Sequence, residues 1–214
     1  MLRSSALRHG LLAALVLLVQ SAAAGLPQVR MDTALGAIVV EIDTEAAPVT
    51  GSHFLALVDA GAYDDGASFY RVVTLENQPT SPVPIQVIQG GRGRERGDAV
   101  ATVAHETTVD SGLRHLDGVI SMARLEPGSA SSEFFFCIED QPELDFGGRR
   151  NPDGQGFAAF GRVVQGMDVV RAIQGRPTAA RPEGGEDFDG QQLLEPVAIT
   201  AIERVVSTIA RYLV

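Results

Sequence analysis

Arg71 and Gln89 are the residues whose types and placement could do chemistry. Arg71 lies in the run Ser68-Phe69-Tyr70-Arg71-Val72-Val73, and Gln89 in Gln86-Val87-Ile88-Gln89-Gly90-Gly91. Each is a polar side chain in a short apolar segment, and alternation would aim both at one surface. A guanidinium among Val and Phe is costly to bury unless a partner or a task holds it there. Held still by an amide, it is a fixed donor that can stabilise charge or a lone pair developing on a bound molecule.

Other reaction centres are missing. All 17 basic residues are Arg, so no Schiff-base or P-loop lysine exists. There is no G-x-S-x-G elbow and no H-E-x-x-H helix. His53, His105 and His115 have no metal-ligand spacing to one another or to Cys137, which argues against a zinc site. Cys137, the single cysteine, sits in an apolar run and reads as an inert buried thiol. The net charge of −10 speaks against broad nucleic-acid binding and for simple solubility.

The elements around this pair read as a turn-rich β protein. Val29–Thr33 and Ala37–Asp43 alternate about Ala34-Leu35-Gly36, a tight hairpin. Pro48 opens a helix that Gly61 ends. Ser68–Val73 and Ile85–Ile88 are strands separated by a loop with Pro79, Pro82 and Pro84. Val119–Ala123, Phe134–Ile138 and Phe157–Val164 follow as strands, and Gly166–Ile173 as a short helix. The segment from Gly175 to Gln191 is loop-like, and Glu195–Val206 is the last strand. About eight strands and two helices without a βαβ rhythm suit a closed antiparallel barrel capped by helices.

Several segments resemble, in order, those of the cyclophilins, the peptidyl-prolyl cis/trans isomerases. Beyond the Arg71 and Gln89 hairpin, Gly118-Val119-Ile120-Ser121-Met122-Ala123-Arg124 is similar to the family's G-x-[IL]-[SA]-M-A run. Ser131-Ser132-Glu133-Phe134-Phe135-Phe136 is similar to its S-Q-F-F-I motif. Leu144-Asp145, Phe160-Gly161-Arg162-Val163 and the start of the last helix at Gly166 also match. The resemblance spans about Val29 to Arg204 and looks most like the secreted bacterial branch. It implies an eight-stranded barrel and an isomerase (EC 5.2.1.8) in which Arg71 is catalytic and Gln89 holds its guanidinium. Phe135 and Leu144 would form the floor that receives the proline ring. Ala123 would line the neighbouring pocket, and the backbone of Arg124 would pair with the substrate chain. Phe157, Gln86, Val87 and Glu133 occupy the remaining substrate-binding positions. Such a reaction makes and breaks no covalent bond, so no metal or cofactor is needed.

The sequence departs from the family at named positions. Gln86 stands where a Phe usually lines the pocket, Val87 where Met is usual, and Phe157 in place of His or Tyr. Glu143 sits where Trp or Phe often forms the rim. Glu133 replaces a Gln and is expected to reach Arg71 as an ion pair. The alternative to the enzyme is therefore a peptide- or protein-binding module with weak or no isomerase activity.

The N-terminus has the pattern of a secretory signal peptide. Arg3 and Arg8 precede the apolar run Leu11–Val19, and Ala22-Ala23-Ala24 supplies a cleavage site. The run is too short to span a membrane. The expected organisation is a leader over 1–24, a cyclophilin-like domain over 25–206 and a tail over 207–214. The mature form would lose two arginines, taking the charge from −10 to −12. It would be a periplasmic or secreted monomer with no stable membrane insertion, acting on proline-containing polypeptides and not on nucleic acid.

Overall fold

Strand β1 (Gln28–Thr33) and β2 (Gly36–Ile42) form the first hairpin, and α1 (Pro48–Asp59) follows. The second hairpin pairs β3 (Ser68–Val73) with β4 (Val87–Gly91). A short α2 (Thr108–Ser111), β5 (Val119–Met122), β6 (Phe134–Cys137) and β7 (Ala158–Gln165) lead to α3 (Met167–Gln174) and β8 (Gln192–Arg204). The computed structural model describes residues 25–93, 100–180 and 187–206. The expected leader and the tail lie outside the described residues.

The strands close into an eight-stranded antiparallel barrel in the order β1-β2-β7-β5-β6-β4-β3-β8. Closure leaves no sheet edge unpaired. Phe54 of α1 enters the core against Phe134 and Phe160, with ring centroids 5.8 and 5.1 Å away. From α3, Val170 and Ile173 are buried in the same core. Gly166, which precedes α3, has φ +93°, and a Cβ there would strike the carbonyl oxygen of Ala37. A side chain at that position would push α3 off the barrel.

Strand β6 shows how the fold builds the site. All four of its residues are buried, yet they alternate between two clusters. Phe134 and Phe136 belong to the barrel core, whereas Phe135 and Cys137 join Val73, Ile85, Val87 and Leu144 in a smaller cluster outside it. Burial pushes the Cys137 thiol well above its ordinary pKa, with Asp145, Asp117 and Asp140 adding to the effect, so the thiol stays protonated.

A β-bulge in β3 aims the arginine. Phe69 faces Gly90 and Arg71 faces Gln89, so Tyr70 is the extra residue. Phe69 and Val72 belong to the barrel core, while Val73 lies in the outer cluster. Strict alternation from Phe69 would have sent Arg71 into the core. The extra residue turns it outward to the face of Val73.

Three local features differ from expectation by more than a residue. The expected strand Ile85–Ile88 begins at Val87 instead, because the Gln78 side chain takes both backbone groups of Ile85, at 3.2 Å to its N–H and 2.5 Å to its carbonyl oxygen. Part of the expected loop before β8 is a 3-10 turn, Asp187–Gln191, and β8 itself starts earlier than Glu195. Thr107 and Asp110 form a capping box that starts α2, a helix too short to show periodicity in sequence.

Candidate active site

Arg71 projects from the bulge and is held by two amides. Its Nη1 donates to Gln89 Oε1 at 2.7 Å. Its Nε and Nη2 both donate to Gln191 Oε1, at 2.9 and 2.6 Å. The ring of Phe188 covers one face of the guanidinium, 4.6 Å from Cζ to centroid. The chain folds 120 positions back on itself to bring Gln191 to Arg71.

A cavity of about 190 Å³ opens beside this guanidinium. Phe135, Leu144, Val87 and Phe157 supply apolar surface, and Gln89, Ala123 and Arg124 also border it. The Phe135 and Phe157 rings meet edge to face at 5.3 Å. The Phe157 N–H donates to the Leu144 carbonyl oxygen at 2.9 Å, which ties floor to wall. Arg124 sets its buried guanidinium over the Phe157 ring, 5.3 Å from Cζ to centroid, and grips Asp153 through two hydrogen bonds of 2.7 and 2.9 Å. That side-chain bond, with one from the Gln155 N–H, holds the Asp153 carboxyl down to about 2.

One expected substrate position and one expected contact are corrected. Gln86 does not line the cavity: its side chain points the other way and donates to Glu139 at 2.9 Å. Ile85 takes its place, on the same side of the chain as Val87 and Gln89. The pocket is accordingly more apolar than Gln86 implied. The alternation Ile85, Val87, Gln89 was the available signal. Glu133 forms no ion pair with Arg71. It accepts from the Tyr70 hydroxyl at 2.6 Å and from the Gly93 N–H at 3.0 Å. It borders a second cavity of about 300 Å³, which shares Gln89, Ala123 and Arg124 with the first. Glu143 pairs with Arg149 at 2.7 Å and borders neither cavity.

Several residues escaped sequence reasoning. Arg150 borders the pocket and clamps the loop before Ile85 by donating to Ser81 Oγ at 2.8 Å and the Val83 carbonyl oxygen at 2.9 Å. Beneath the floor, His115 Nδ1 lies 2.7 Å from Asp145 and Nε2 lies 3.0 Å from Ser121 Oγ. The imidazole stacks under Phe135 at 6.0 Å. This arrangement has the residue types of a nucleophilic triad. Ser121 is fully buried, however, so no substrate can reach it, and the network instead supports Phe135. Among the described residues no His, Cys, Asp and Glu cluster could hold a metal ion, and no helix is long and apolar enough to cross a membrane.

Comparison with known proteins joins this geometry to a family. The family model described as cyclophilin type peptidyl-prolyl cis-trans isomerase/CLD matches residues 28–203. A protein of Streptomyces antibioticus named peptidyl-prolyl cis-trans isomerase cyp18 is 36% identical over 168 residues, 78% of this chain and 93% of its own. Peptidyl-prolyl cis-trans isomerase A of Dickeya dadantii is 35% identical over 147 residues, 68% of this chain and 70% of its own. The fold is also that of a crystal structure of a Cryptosporidium parvum cyclophilin. It aligns with a TM-score of 0.64 at 19% identity, over 85% of this chain and 98% of that one.

Proposed function

This chain belongs to the cyclophilin-type peptidyl-prolyl cis-trans isomerase family, and on that premise we propose that it catalyses rotation about X-Pro bonds with Arg71 as the catalytic residue. The observation that carries this reading is a guanidinium fixed by Gln89 and Gln191 at the edge of a pocket with an apolar floor of Phe135 and Leu144. Amide resonance sets a barrier of about 18–20 kcal/mol. Twisting the bond localises a lone pair on the prolyl nitrogen, which becomes a hydrogen-bond acceptor only near the transition state. A donor already in place stabilises that state over both ground states. Phe135, Leu144, Ile85 and Val87 grip the ring while the preceding carbonyl turns. The main chain of Arg124 pairs with the substrate, and Ala123 and Glu133 border the adjoining subsite.

The corrected pocket gives a direct test in a protease-coupled prolyl-peptide assay. Ile85→Gln places an amide against the ring and is expected to lower kcat/KM about tenfold, the scale of one poorly solvated polar group. Gln86→Ala is expected to stay within about twofold, the effect of losing an exposed hydrogen bond. The reverse order would show that Gln86, not Ile85, receives the substrate.

The substrates are proline-containing polypeptides outside the cytoplasm, and the enzyme acts as a monomer after export. The support is the charged, apolar and small-residue pattern over 1–24, which precedes the matched region 28–203. Intact mass of the protein recovered from an exporting cell is expected to place the mature N-terminus at Gly25. A chain that keeps Met1 and stays in the cytoplasm would exclude export.

A further inference from the structure

The hydrogen bonds do not stop at Gln89. Its Nε2 donates to the Tyr70 hydroxyl at 2.8 Å, and that hydroxyl donates to Glu133 Oε2 at 2.6 Å. We infer that Tyr70 and Glu133 are positioning residues that lock the Gln89 carboxamide in the one orientation that serves Arg71. The inference rests on the role proposed for Arg71.

A carboxamide fits its site almost equally well in two orientations. Only one turns Oε1 to the guanidinium; the other sets NH2 against N–H. Gln89 is nearly buried, so water cannot compensate for the wrong choice. A phenol alone would not decide, because it can donate or accept. An ionised carboxylate can only accept. Glu133 therefore accepts the hydrogen bond of the Tyr70 hydroxyl, which leaves the phenol oxygen to accept from Gln89. Donation then runs one way from Arg71 through Gln89 and Tyr70 to Glu133, each bond polarising the next. A Gln at position 133, as in the family's motif, could donate as well as accept and would not enforce that direction.

The surrounding backbone is built to hold Glu133 there. Its Oε1 accepts from the Gly93 N–H at 3.0 Å and from Ser132 Oγ at 3.3 Å. Gly91 has φ +147°, and a Cβ on it would lie 2.6–2.7 Å from the Glu133 carboxyl atoms. The bulge that turns Arg71 outward also sets Tyr70 beside it, opposite Gln89.

The test uses the full chain, with kcat/KM from the coupled assay and kcat separated from peptide affinity by exchange NMR. Tyr70→Phe keeps the ring, and Glu133→Gln keeps the shape. Each is expected to lower kcat/KM about tenfold, one hydrogen bond's worth, through kcat, with affinity unchanged in Tyr70→Phe, whose residue borders neither cavity. Gln89→Glu still accepts from Arg71 but cannot donate to Tyr70, leaving one phenol proton between two carboxylates. Adding Glu133→Gln lets the outer bonds reverse, so the double variant is expected to recover about tenfold over Gln89→Glu alone. Two results overturn the inference: Tyr70→Phe and Glu133→Gln both within about twofold of the parent, or a double variant no better than Gln89→Glu. An Arg71→Ala variant at parental rate would instead sink the role of Arg71 itself.

Discussion

Replacing Arg71 with Ala is expected to lower kcat/KM for an Ala-Pro peptide by about 100- to 1,000-fold, the usual effect of deleting one donor aimed at developing charge. The size follows from how the guanidinium is fixed. Gln89 and Gln191 hold it from two sides and Phe188 covers one face, so little reorganisation is needed when the prolyl nitrogen pyramidalises. Arg71→Lys is expected to recover little of the loss, because an ammonium cannot reproduce the fork that meets two separate amide oxygens. Thermal unfolding of each variant separates this from misfolding, since both changes leave the outer apolar cluster intact. A protease-coupled assay in which Arg71→Ala matched the parent would refute the mechanism.

His115→Ala is expected to cost about 3 kcal/mol of stability, combining a cavity under Phe135 with buried groups left unpaired. For a domain of this size that is a melting shift of roughly 10 °C. Ser121 loses its partner in a fully buried position, and Asp145 loses the shorter of its two hydrogen bonds from His115, keeping the one from the backbone N–H. Catalysis is expected to fall with stability, because Phe135 rests on the imidazole.

The same network shapes the acid limb of stability. Burial pushes the Asp145 carboxyl up, but the His115 side-chain and backbone hydrogen bonds, with the nearby charges of His115 and Arg114, leave it below the ordinary value of 3.8. Asp153, held by Arg124, is lowered to about 2. A carboxyl whose folded pKa is depressed contributes stability above its unfolded pKa and loses it as pH falls through the folded one. Stability is therefore expected to be level near neutrality and to decline as pH drops from about 4 towards 2. In His115→Ala the part of that decline owed to the imidazole disappears, while the backbone N–H at position 115 still donates to Asp145. Urea unfolding at several pH values measures both effects, and parallel acid limbs for parent and variant would contradict the assignment to Asp145.

Much of the site is legible in the sequence. Arg71, Gln89, Phe135, Leu144, Phe157, Val87, Ala123 and Arg124 all border the pocket, because ordered short motifs fix which strand ends meet. The strand pattern also gave the barrel, with boundaries shifted by a few residues. Gln86 is placed in the pocket only by the family position it occupies, whereas strand alternation sets Ile85 on the side of Val87 and Gln89. The side chain of Gln78 substitutes for a neighbouring strand there, and no local pattern announces that. Gln191 and Phe188 lay in a polar stretch with no periodicity, and only the closed barrel carries them to Arg71.

The sequence by itself determined which residue types were available: a Lys-free chain, a lone buried thiol, and an arginine and a glutamine on neighbouring apolar strands. Propensity, alternation and motif order are local properties, and they suffice for that. The tertiary structure alone decided where those side chains point. The bulge at Tyr70 turns Arg71 out of the core, Glu133 bonds to Tyr70 and not to Arg71, and Gln191 arrives from the far end of the chain. Each of these depends on the register between strands and on which hydrogen-bond partners remain once the core has packed. Those are contests between distant groups, settled only when the barrel closes.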